Sequence, residues 1–74
     1  MKLETIGIDD GTDGVNDCPK IMDDRDAADG PIYVQGPAVT DPTALAQSGP
    51  GPGEVLCAVP RQAFERAARR ILGG

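Results

Sequence analysis

The chain contains no histidine. That removes histidine-based triads, cysteine–histidine pairs and imidazole metal sites from the chemistry open to it. It has two cysteines, Cys18 and Cys57, too few for the disulfide framework of a small secreted domain. No apolar run approaches the roughly 18 residues of a membrane span. The opening stretch MKLETIGIDDGTDG has one lysine and no apolar run of signal-peptide length. These absences predict a cytoplasmic protein with no membrane partner. Large apolar residues are also scarce: Leu, Ile, Val and Phe together number 15 of 74. That lies near the border where a chain stops burying enough surface to fold. A domain this small is marginal alone unless a staple or a partner adds to its core.

Glycine and proline, by contrast, are abundant, at 10 and 7 residues. Acidic charge is abundant too, and it is unevenly placed. Residues 1–59 carry eleven acids against three bases, a net of −8, whereas residues 60–74 carry Arg61, Arg66, Arg69 and Arg70 against Glu65, a net of +3. The whole chain stands at −5. An acidic body repels a phosphate backbone, which disfavours direct nucleic-acid binding. The four arginines either neutralise the acidic body within the molecule or present a docking face.

The stretch with the strongest pattern is Glu54–Leu72, EVLCAVPRQAFERAARRIL. Val55 to Val59 is a continuous apolar run, as in a central strand buried on both faces. Pro60 ends it and opens a helix over 61–72. Ala63, Phe64, Ala67, Ala68, Ile71 and Leu72 recur as adjacent pairs four apart, one helical stripe. Arg69 and Arg70 suit the last turn, and Gly73 is a natural stop.

Upstream, residues 1–17 read as a flexible acidic arm, with a short strand over Thr5–Ile8 as an option that Gly7 weakens. Ile6 and Ile8 would share one face of it. Residues 18–74 form the single small domain. Lys20–Asp24 predicts a strand. Asp26–Gly30 predicts a hairpin turn with Gly30 at positive φ. The return strand spans 32–39, with Ile32 and Val34 on one face and Tyr33 and Gln35 on the other. Gly36-Pro37 interrupts it and marks an edge or a bulge. Asp41 as N-cap and Pro42 as first residue predict a helix of one or two turns. Residues 49–53, GPGPG, are a linker.

Several chemical motifs fail on their own terms. Cys18 and Cys57 admit a disulfide or redox pair, a half-site for zinc, or two small buried thiols; no CxxC supports the first two. An EF-hand loop from Asp9 would put Gly11 at position 3 and Lys20 at position 12, where oxygen ligands are required. The GPGPG linker lacks the lysine and the amides of a phosphate loop. Sulfur carriers and ubiquitin-like modifiers end in Gly-Gly, but on an extended tail, whereas Gly73-Gly74 follows a predicted helix. A single helix with no second helix at turn spacing is not a helix-turn-helix.

Cys18-Pro19, Ile32-Tyr33-Val34-Gln35-Gly36, Val39-Thr40-Asp41-Pro42, Ala44-Leu45, Gly53-Glu54, Val55 and Val59-Pro60 form a pattern over residues 18–68. It resembles small acidic proteins of streptomycete-like actinobacteria that are encoded beside helix-turn-helix regulators of the WhiJ type. Arg25-Asp26, Asp29-Gly30-Pro31 and the Phe64 helix are similar to related acidic companions in such loci. Pro37 departs from the pattern, standing where an apolar or aromatic residue is expected. The resemblance implies an accessory regulatory role through protein contact, without catalysis; the residues themselves predict no cofactor and no metal. The sequence therefore predicts an α+β fold: a small three- to four-stranded antiparallel sheet from residues 20–24, 32–39 and 54–59, packed by one C-terminal helix. It predicts a non-enzymatic interaction module, with a regulator or a second copy as partner. Contact is expected through the strand edge at Tyr33 and Gln35, or through Arg61, Arg66, Arg69 and Arg70.

Overall fold

A computed structural model describes residues 1–8 and 19–73. The fold is α+β: a three-stranded antiparallel sheet with two helices, the C-terminal one packed on the first two strands. In chain order the elements are β1 (Leu3–Ile8), β2 (Lys20–Asp24), β3 (Ile32–Gln35), α1 (Pro42–Ser48) and α2 (Arg61–Ile71). The sheet order is β1-β2-β3. The central strand is thus β2.

The expected central strand at 54–59 does not form. That segment makes one isolated antiparallel bridge, Ala38 to Cys57. Val39 N–H donates to the Leu56 carbonyl at 2.8 Å and Ala58 N–H to the Pro37 carbonyl at 3.1 Å. Pro37 has no N–H to extend the ladder, and Pro60 closes the segment two residues later. Val55 is exposed, while Val59 packs against the core. The strand expected over 32–39 accordingly ends at Gln35.

The third strand comes instead from the N-terminus, and it is longer than the option at Thr5–Ile8. β1 pairs with β2 from Leu3↔Asp24 to Ile8↔Lys20. Between Thr5↔Met22 and Gly7↔Ile21 the register shifts, so Ile6 is the extra residue of a bulge. The bulge breaks the alternation expected of Ile6 and Ile8, and Ile6 and Gly7 are both buried while Ile8 is half-buried. The remainder of the expected arm, 9–17, lies outside the described residues.

β2 and β3 are joined through two successive tight turns, Ala27 N–H to the Asp24 carbonyl and Gly30 N–H to the Ala27 carbonyl. Gly30 is not at positive φ; among the described residues that conformation belongs to Gly49, Gly53 and Gly73. α1 follows its sequence signals. The Asp41 carboxylate accepts from Thr43 N–H at 3.0 Å, Pro42 opens the helix, and Gly49 closes it at φ 64.

α2 lies across β1 and β2 and does not reach β3. Its contact with β1 is unusually close. A Cβ on Gly7 would overlap the Ala63 carbonyl oxygen and sit 2.9 Å from the Ala67 Cβ. Ala63 and Ala67 are correspondingly the buried residues of the helix. Among the described residues the buried apolar side chains are Ile6, Ile21, Ala63 and Ala67. Gly7→Ala should therefore lower unfolding free energy by about 1–3 kcal/mol, the usual cost of overpacking. Urea denaturation of the two proteins measures it, and an unchanged midpoint would contradict the close approach.

Candidate interaction surface

Antiparallel pairing places partnered residues on one face of the sheet. Ile21 pairs with Val34 and Asp23 with Ile32. Ile21 is buried under α2, so Val34 and Ile32 share the helix face. α2 stops short of β3, and both stay exposed, Val34 at 49%. The flank of α2 above them carries Phe64, Ala68, Ile71 and Leu72. Phe64 is 62% and Leu72 85% exposed. These side chains and Ile21 enclose a groove of about 400 Å³ lined by apolar atoms alone.

The groove follows from how the helix is seated. The stripe of adjacent pairs spans more of the helix than one contact line can cover. Gly7 admits only the alanines, so α2 rolls its small side down. The larger residues of the stripe then lie on the flank toward β3.

Tyr33 and Gln35, expected as a partner-binding edge, do lie on the outer strand of the sheet. Their pairings are with Met22 and Lys20, on the face opposite the groove. Tyr33 is half-buried and Gln35 exposed. Pro31 and Pro37 flank this strand of four residues. The four arginines divide. Arg70 Nη2 contacts Glu4 Oε1 at 2.7 Å, and Arg66 Nη1 donates to the Ile8 carbonyl at 3.3 Å. Both are tied to β1. Arg61 and Arg69 are exposed. The groove residues themselves were readable as apolar faces of β3 and α2, but their exposure depends on where the helix sits.

A second cleft, at the C-terminal end of α2, is lined by Glu4, Ile6, Asp23, Arg25, Arg70 and Ile71. Glu4 lies between the guanidiniums of Arg25 and Arg70 and pairs with both. Arg25 first, then Arg70, hold the Glu4 carboxyl below its usual range. Asp24 is buried and accepts Lys2 N–H at 3.1 Å and Asp26 N–H at 3.0 Å on one oxygen. These backbone donors lower its pKa. Glu4 fastens β1 to the β2–β3 connection and to α2, and Asp24 fastens the residue before β1 to the same connection. The arrangement is a clip between chain segments.

Among the described residues no group of three or more His, Cys, Asp or Glu is placed to hold a metal ion. Cys57 is half-buried at the bridge to Ala38. Cys18, the acidic stretch 9–17 and Gly74 lie outside the described residues, so the disulfide, calcium and diglycine alternatives fall there. Gly73 follows Leu72, the C-cap of α2, at φ 86. Among the described residues no helix is long and apolar enough to cross a membrane. No protein-family model, curated protein or solved structure matches the chain.

The two clipped carboxylates predict a pH dependence. Their folded-state pKa values lie below the ordinary ones, so their stabilisation is present above about pH 4 and is lost as pH falls through the lowered values. Thermal unfolding between pH 7 and pH 2.5 should show a falling midpoint in acid. The combined variant Glu4→Gln, Asp24→Asn should be less stable at pH 7 and should lose less on acidification. Parallel profiles for the two proteins would exclude these groups as the cause.

Proposed function

We propose that this protein is a non-catalytic interaction module whose groove between β3 and α2 receives a protein partner, and that the partner is a helix-turn-helix transcription regulator. The observation that carries the first half is the groove itself. Large apolar side chains stand open beside a buried core that, among the described residues, is two isoleucines and two alanines. A contiguous apolar patch on a small domain marks a contact surface. A domain of this size also gains the burial that it lacks by binding. The regulator as partner comes from the resemblance of residues 18–68. With a net charge of −5, the module acts on the regulator and not on DNA directly.

The outer position of β3 favours a second reading, a homodimer formed by antiparallel pairing of two β3 strands.

Co-expression with a helix-turn-helix regulator encoded beside this chain tests the first reading. A stable complex should elute together, and Val34→Asp should lose it while keeping the circular dichroism of the parent. A regulator that never co-elutes contradicts the proposal. Light scattering of the chain alone tests the second: a mass near 7.7 kDa excludes the dimer, and twice that supports it.

A further inference from the structure

We draw no further inference here: the strongest candidate, the apolar groove between β3 and α2, belongs to the interaction surface already described, and nothing in the structure shows what covers it.

Discussion

The rest of the structure depends on how closely α2 approaches β1 at Gly7. A side chain at that position would collide with the helix backbone at Ala63. Only a glycine on the strand and alanines on the helix permit the contact. Once the alanines face down, Ile6 and Ile21 complete a thin core around them. The bulge at Ile6 serves the same contact, because it breaks the alternation at the point where Ile6 and Gly7 are both buried. Glu4, held between Arg25 and Arg70, then fixes the helix along the strand by charge at the end away from Gly7.

This seating links the stability of the domain to the groove on its surface. A helix packed through alanine buries little apolar area, since each buried large aliphatic side chain contributes about 1.5–3 kcal/mol and alanine far less. The larger residues of the same stripe, Phe64, Ile71 and Leu72, are displaced to the flank and remain exposed. Burial forgone inside the domain is thereby offered at its surface. The exposed strip lies beside β3, which α2 does not cover. The arginines tied to β1 belong to the fold, whereas Arg61 and Arg69 lie on the outer side of the helix.

Local chemistry made several elements legible. β2 occurs where Ile21 and Met22 lie between turn-forming stretches, and α1 occurs where Asp41 and Pro42 mark its start and Gly49 its end. α2 follows its stripe. These elements are decided by signals within a few residues of themselves. The 54–59 segment shows the opposite case. Its apolar run satisfies the pattern of a central strand, yet it gains one bridge, because its neighbour across the gap contains Pro37. β1 was obscured for a related reason: Gly7 weakens a strand by propensity and is required there by packing. Gly30 shows that a glycine in a turn need not be there for positive φ. The groove was half legible. Ile32 and Val34 were assigned to one face and Phe64, Ile71 and Leu72 to one stripe, but each set reads equally as core.

The sequence by itself determined the class of fold, the positions of β2, α1 and α2, the acidic balance of the body and the basic balance of the last helix. These follow from periodicity, capping and charge, which act over short range. Only the tertiary structure decided which strand stands at the centre, that the N-terminal segment supplies the third strand, and which side of the α2 stripe is buried. Those outcomes turn on the contact between Gly7 and the alanines 56 and 60 residues further along the chain. Steric fit between distant segments has no periodic signature, so it selects among faces that local pattern leaves equivalent.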